Sequence, residues 1–302
     1  MIIVVIATVG RPRNVEDCLR LLAAQSRRPD LVLVSATSDG DLPEPGGAVL
    51  ARLPYDARLV IGPKGLTRQR NRALDVLERS CPGYDGFVAF FDDDFVPRED
   101  WLENAAAEFA ARPACVGLTG VLVADGASGP GYDLAQAADM LGCGRGMLRR
   151  SDERARCGPA RALYGCNMAL RGAALRSVRF DEALPLYGWL EDEDVSGQLR
   201  KLGELFRSDG LVGVHLGTKS GRVPSANYGY SQIANPIYLV RKGTYPASSA
   251  ARLMARNLAA NLLKTPFPEP YVDRASRLRG NMRALADLAR GRLHPGGAAE
   301  LR

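Results

Sequence analysis

No stretch of this chain reaches the roughly 20 consecutive apolar residues that a membrane span needs. The opening MIIVVIATV is far shorter and is stopped by Gly10, Arg11 and Pro12, so it reads as a first strand. The six cysteines, at 18, 81, 115, 143, 157 and 166, form no Cys-x-x-Cys pair and no regular spacing, which leaves no disulfide framework to read. No secretory leader precedes them, and a reduced, cytoplasmic chain is expected. Internal repeats and low-complexity segments are also missing. With 46% hydrophobic residues in 302, disorder throughout is excluded, and one large α/β domain or a domain plus an appendage fits the length.

Cationic excess is missing from most of the chain. The net charge is +6, yet residues 241–302 hold 12 Lys or Arg against 4 Asp or Glu, leaving 28 basic against 30 acidic groups in the first 240 residues. The body is nearly neutral and the tail is basic. Aromatics in that tail are few, Tyr245, Phe267 and Tyr271, and they lie outside its basic helical stretches. A nucleic-acid-binding tail would interleave stacking rings with its cations, so no nucleic acid is expected as a partner.

Apolar β-branched runs alternate with helical patterns through the first half: IIVVIATV, VEDCLRLLAAQS, DLVLVSAT, ARLVIG, LTRQRNRALDVLERS, GFVAFFDDD and EDWLENAAAEFAAR. Continuously apolar strands of this kind belong to a mostly parallel, Rossmann-like sheet flanked by helices. Ligands of such sheets sit beyond the carboxyl ends of the strands. Thr8 to Arg11, Ser35 to Asp39, Pro63 to Arg70 and Asp92 to Asp94 all fall at those ends and are expected to converge on one edge. The second half has a Gly-rich stretch over 125–146, strand into helix at ALYGCNMALRGAAL, loop into helix at YGWLEDEDVSGQLRKLG, and a strand LVGVHLG. From about 241 the pattern turns helical, with Pro266, Pro268 and Pro270 separating two helices.

Three adjacent carboxylates, Asp92, Asp93 and Asp94, close the strand GFVAFF. Each raises the cost of ionising the next, and a hard divalent cation offsets that repulsion. In an extended segment Asp92 and Asp94 point the same way and share the ion, while Asp93 faces elsewhere. The alternative is that they cap a turn and the next helix. Glu191, Asp192, Glu193 and Asp194 open a helix, where acids are favoured by the helix dipole alone; Tyr187 and Trp189 just before them add the aromatic platform that a carbohydrate site uses. His215 ends a strand and could complete a metal's ligand set, or be structural; His294 carries no signal. In GPKGLTRQRNRALD, Lys64, Arg68, Arg70 and Arg72 surround a Gly-led helix start that could hold a diphosphate. Arg68 and Arg72 suit a solvated face, whereas Arg70 and Asn71 point toward ligand contact.

In this order the motifs resemble glycosyltransferase family 2, inverting transferases of the GT-A fold. The resemblance spans roughly residues 1–240 and rests on ATVGRP, RQRNRAL, FFDDDFVP, YGCNMALR, WLEDEDVSGQL and GVHLG. It implies a nucleotide-sugar-binding half at 1–124, an acceptor-side half at 125–240 and a basic helical C-terminal extension at 241–302. It further implies Asp92, Asp94 and His215 as ligands of Mn²⁺ or Mg²⁺. Asp192 would be the general base, with Glu191 its catalytic neighbour. Thr8, Gly10, Arg11, Ser35, Asp39, Lys64, Arg68, Arg70, Asn71 and Asp93 would bind the nucleotide sugar, and Asn167, Tyr187 and Trp189 the acceptor. Family members carry an acidic pair after the second strand that reads the base; here that place is VSATSDG, with Ser35 in the first acid's position and Asp39 as its substitute. Uridine diphosphate is the default donor nucleotide, with guanosine and thymidine diphosphates open. The acceptor would be a saccharide or a lipid-linked hydroxyl in bacterial-type polysaccharide or glycoconjugate assembly. A sugar nucleotidyltransferase is the nearest enzymatic rival, although it would not need the aromatic-flanked Glu-Asp pair.

In SSAARLMARNLAANLLK, Ala251, Met254, Ala255, Leu258 and Leu262 share one helical face, with Arg252, Arg256 and Asn257 elsewhere. Such a basic amphipathic helix could rest peripherally on the inner face of an anionic membrane. The alternatives are packing on its own domain or on a second subunit, as a homodimer.

Overall fold

The computed structural model describes residues 1–142, 157–267 and 269–301. Cys143, the end of the Gly-rich stretch at 143–146, and Pro268 lie outside them. The chain divides into two compact units: residues 1–64, 68–179 and 199–221 form the first, and residues 65–67, 180–198 and 222–302 the second.

Among the described residues the first unit is built on one sheet of nine strands. Its elements are β1 Ile2–Ala7, α1 Pro12–Ala23, β2 Leu31–Ala36, β3 Asp56–Ile61, α2 Leu66–Ser80, β4 Phe87–Asp92, β5 Phe95–Pro97, α3 Trp101–Ala111, β6 Cys115–Asp125, α4 Leu134–Gly142, β7 Gly158–Pro159, β8 Asn167–Arg171, α5 Gly172–Leu175 and β9 Glu204–His215. The first two residues of α2 belong to the second unit. Strand order is β3-β2-β1-β4-β8-β6-β9-β5, with β7 paired to β9. Strands β1 to β4 pair in parallel. β8 is antiparallel to both β4 and β6, and β9 is parallel to β6. Six strands therefore share one direction, and the sheet is mostly parallel.

The burial pattern explains the parallel half. Every residue of IIVVI in β1 and LVLVSA in β2 is buried, because helices cover both faces. Phe91 packs on Phe95 with ring centroids 4.9 Å apart and edge-on against Trp101 at 4.7 Å. Each such side chain contributes about 1.5–3 kcal/mol by leaving water.

Only Asp93 and Asp94 separate β4 from β5, yet β5 pairs with β9 at the far end of the strand order. The sheet must curl to bring these strands together. The segment expected to continue extended through Asp94 turns over instead, and the turn is what separates the directions of the three carboxylates.

The second unit holds most of α6 Glu191–Leu199, and then α7 Ser225–Lys242, α8 Ala247–Lys264, α9 Arg274–Ala289 and α10 Gly297–Glu300. Helix α7 was not legible in the sequence, because Pro236 inside it breaks the pattern that marks a helix. Helix α9 is N-capped by Asp273, whose side chain accepts from the Ser276 N–H. Tyr230, Ile233, Ala234, Ala284 and Ala298 form the small core of α7, α9 and α10. An amide network of Gln232, Asn261 and Asn281 ties α7, α8 and α9 together, with Asn261 Nδ2 donating to both Gln232 and Asn281 at 2.8 Å.

Candidate active site

The register of the sheet assembles the first cluster. Asp92 ends β4, and His215, the last residue of β9, pairs with Phe95 on one side and with Asp125, the last residue of β6, on the other. Asp92, Asp94 and His215 each offer a ligand atom, and these atoms lie within 4.8 Å of one another. Two carboxylate oxygens and one imidazole nitrogen suit a divalent cation. The three residues expected to hold the metal are thus brought together.

Each ligand is held by its neighbours. Arg70, fully buried, donates to Asp92 Oδ1 at 3.1 Å and to the Gly165 carbonyl at 2.8 Å. Asp94 accepts from the Thr218 N–H at 2.8 Å and faces His215 Nε2 at 3.3 Å. His215 Nδ1 meets Asp125 Oδ1 at 2.8 Å, and Asp125 Oδ2 accepts from the Tyr164 hydroxyl at 2.9 Å. Burial alone would lower the His215 pKa, but hydrogen bonds to Asp125 and Asp94 and the carboxylate charges raise it to about 10. Burial likewise opposes ionisation of Asp125, yet the hydrogen bond and charge of His215 bring it down to about 2. The loops behind this pair approach closely: a Cβ on Gly217, at φ +70°, would lie 2.2 Å from the Gly126 backbone.

Asp93 faces the other way. It accepts from Thr8 Oγ1 at 2.7 Å and pairs with Arg11 at 2.9 Å. Burial pushes its carboxyl up to about 6 against the opposing pull of Arg11. Arg11 also donates to the Ser220 carbonyl at 2.7 Å, which fastens the loop after β9 to the β1 loop. Gly10 takes φ +66°.

The remaining nucleotide candidates are dispersed. Lys64, Arg68 and Asp39 are exposed, and Asn71 is buried. Ser35 is fully buried and accepts from Arg72 Nη2 at 3.2 Å. Arg72 is half-buried, also donating to the Ala36 and Pro63 carbonyls at 3.1 Å, and so does not lie on the solvated face where helical spacing put it. Asn167 is fully buried in the core, with Oδ1 accepting from Trp101 Nε1 at 2.9 Å.

In the second unit, three left-handed residues, Leu186 (φ 60°), Gly188 (φ 63°) and Leu190 (φ 73°), lead into Glu191. Such a conformation costs a leucine about 1–3 kcal/mol. Glu191 is buried, and Asp192 is half-buried with Oδ1 accepting from the Glu193 N–H at 2.9 Å. Asp194 is fully buried and accepts from Thr244 and Lys242, both at 2.7 Å, which gives this acid a structural role. Trp189 meets Tyr228 edge-on at 5.6 Å, while Tyr187 is half exposed.

Three positions that support the candidate site were missed in the sequence. Asp125 ends CVGLTGVLVAD much as Asp92 ends GFVAFFD, and that repeated pattern was the available signal. Asp41 lies two residues past Asp39 and is the buried acid of the loop after β2. Gln69 donates to the Thr8 and Ser35 carbonyls, both at 2.8 Å, and no sequence signal marks it.

The chain resembles S. aureus TarS 1–349, with TM-score 0.55, 14% identity, and 96% of this chain and 91% of that one covered. It also resembles the mannosyltransferase PcManGT from Pyrobaculum calidifontis, solved with GDP-Man and Mn²⁺, with TM-score 0.54, 18% identity, and 95% and 87% covered. Against a longer TarS chain it covers 86% of its own length and 43% of that chain, at TM-score 0.53 and 14% identity. The fold is GT-A, that of a glycosyltransferase. The profile of glycosyl transferase family 2 matches residues 3–178, more than half of the chain, and the protein belongs to that family. No curated protein matches it.

Proposed function

We propose that the chain is a metal-dependent, inverting transferase that moves a sugar from a nucleoside-diphosphate sugar to an acceptor hydroxyl. The observation that carries this reading is the convergence of Asp92, Asp94 and His215 donor atoms within 4.8 Å in a family 2 chain. A bound divalent cation supplies Lewis-acid neutralisation of charge on the departing diphosphate. Asp92, Asp94 and His215 hold it. Arg70 fixes Asp92 through their ion pair, and Asp125 holds the His215 ring so that Nε2 faces Asp94. The repulsion among three adjacent carboxylates, with Asp93 turned to Thr8 and Arg11, is offset once that cation is present.

Thr8, Gly10, Arg11 and Asp93 border the donor's nucleoside and sugar, and the exposed cations Lys64 and Arg68 lie on the side of its phosphates. Ser35 contributes through its place at the end of β2, where Asp39 and Asp41 are the nearest acids for a base. Related folds have been solved with UDP and with GDP-Man, which supports a nucleotide sugar as donor, uridine diphosphate first. Asp192, with Glu191 beside it, takes the acceptor's proton as its oxygen attacks the anomeric carbon. The carbon–oxygen bond to the diphosphate breaks from the opposite side, so configuration inverts. Tyr187 and Trp189 face the acceptor, a saccharide or lipid-linked hydroxyl of polysaccharide or glycoconjugate assembly.

General-base assistance is worth on the order of 10²–10⁴ in rate. Asp192→Asn is expected to lose transfer by that factor while keeping nucleotide-sugar affinity, measured by turnover and by calorimetry on the same preparation. Turnover within a few fold of the parent would remove Asp192 from the base role.

A further inference from the structure

Helix α8 packs differently from the way its pattern suggests. Ala250 and Asn261 are buried and Leu253 and Met254 pack on the cores of the second unit, so two of the five residues on the expected apolar face, Met254 and Leu258, are half-buried. Ala251, Ala255 and Leu262 of that face stay exposed, and Leu263 joins them. The exposed apolar surface thus gathers at the C-terminal end of α8 and along the link to α9. Within ten consecutive residues Leu262 is 58% exposed, Leu263 69%, Phe267 72% and Tyr271 47%.

This tip is a built feature. Phe267 N–H donates to the Lys264 carbonyl at 3.0 Å, Thr265 Oγ1 donates to the Asn261 carbonyl at 2.6 Å, and Glu269 pairs with Lys264 at 3.0 Å and with Arg274. Holding four large apolar side chains in water brings the fold nothing by itself.

The surrounding charge bears on what this surface suits. Residues 241–271 carry five Lys or Arg and a single acid, Glu269, which pairs with Lys264. Arg252 and Arg256 are exposed on the outward side of α8, and neither makes an ion pair among the described residues. A two-fold contact centred on α8 would bring the arginines of both copies together, with no Asp or Glu on that helix to offset them. An anionic bilayer satisfies both features, because phosphate headgroups pair with the arginines while leucine, phenylalanine and tyrosine enter the headgroup–acyl boundary. No helix among the described residues is long and apolar enough to cross a membrane, so contact of this kind is superficial.

We propose that the α8–α9 tip, through Leu262, Leu263, Phe267 and Tyr271 with Arg252 and Arg256, docks the protein on the surface of an anionic lipid bilayer. The proposal does not depend on the transferase reading. Its test is co-sedimentation of the full chain with phosphatidylcholine vesicles prepared with and without phosphatidylglycerol, at low and high salt. The parent protein sediments with the anionic vesicles only, and salt weakens this. The variants Leu262→Ser/Leu263→Ser/Phe267→Ser and Arg252→Glu/Arg256→Glu each reduce partitioning by about tenfold or more, with melting temperature and nucleotide-sugar binding unchanged. Partitioning of the parent that matches either variant, or that ignores lipid charge, overturns the proposal. So does a light-scattering mass showing a dimer that the serine variant splits while anionic vesicles recruit nothing.

Discussion

Asp41 shows how one carboxylate can organise a loop. Its Oδ1 accepts from the Gly10 N–H at 2.7 Å, and its Oδ2 accepts from the Thr37 N–H at 2.6 Å, Thr37 Oγ1 at 2.8 Å and the Ser38 N–H at 3.1 Å. Burial opposes its ionisation, and these donors more than offset that, so its pKa lies below the ordinary carboxylate value. A group depressed in this way stabilises the fold above its unfolded pKa, about 3.9, and the contribution is lost as pH falls through the folded value. Asp41→Asn is expected to cost about 1–3 kcal/mol at neutral pH by stranding backbone donors. It should also flatten the decline in stability below about pH 4, read from denaturant melts across the acid range. An unchanged acid limb would show that Asp41 contributes nothing to it.

At the scale of elements, the parallel pairing of β6 with β9 does what no single motif does. It sets the last residue of one strand, Asp125, beside the last residue of the other, His215, and the antiparallel pairing of β5 with β9 sets His215 beside Asp94. A carboxylate on the far nitrogen of a metal-binding histidine fixes its ring and raises its basicity, and losing that partner costs about 10–100-fold in metal affinity. Asp125→Asn should weaken Mn²⁺ binding by that factor in calorimetry on the nucleotide-free protein, with a melting temperature close to that of the parent. Full Mn²⁺ affinity in the variant would make the Asp125 contact purely structural. The β4–β5 turn is the second element that matters. By reversing the chain at Asp93 and Asp94 it sends one carboxylate to Thr8 and Arg11 and the other to His215 and Thr218, a division that alternation along an extended strand would have produced by another route.

For the molecule as a whole, the expectation is linkage between cation, nucleotide and stability. A ligand that binds only the folded state at 100 times its dissociation constant adds about 2.7 kcal/mol. Thermal melts with uridine, guanosine and thymidine diphosphates are expected to show a Mn²⁺-dependent rise for one base. Asp92→Ala and Asp94→Ala should abolish that rise, since they remove two of the three donor residues. A shift that is the same with and without Mn²⁺ would separate nucleotide binding from the Asp-Asp-His cluster.

The continuous apolar runs were enough to determine the parallel half of the sheet, because a strand buried on both faces has no polar positions to disguise it, and IIVVI and LVLVS are buried throughout. Asp92, Asp94 and His215 were legible for the same reason, each standing at the end of such a run, although Asp125 in the same kind of place was missed. Sequence could not assign Arg72 to the end of β2, bury Asn167 against Trp101, reveal α7 through Pro236, or turn Met254 inward and leave Leu263 in water. Those outcomes depend on which distant strand or helix lies alongside. Asp125 and His215 are 90 residues apart in the chain and 2.8 Å apart in space, a proximity fixed by strand register, which local spacing does not encode.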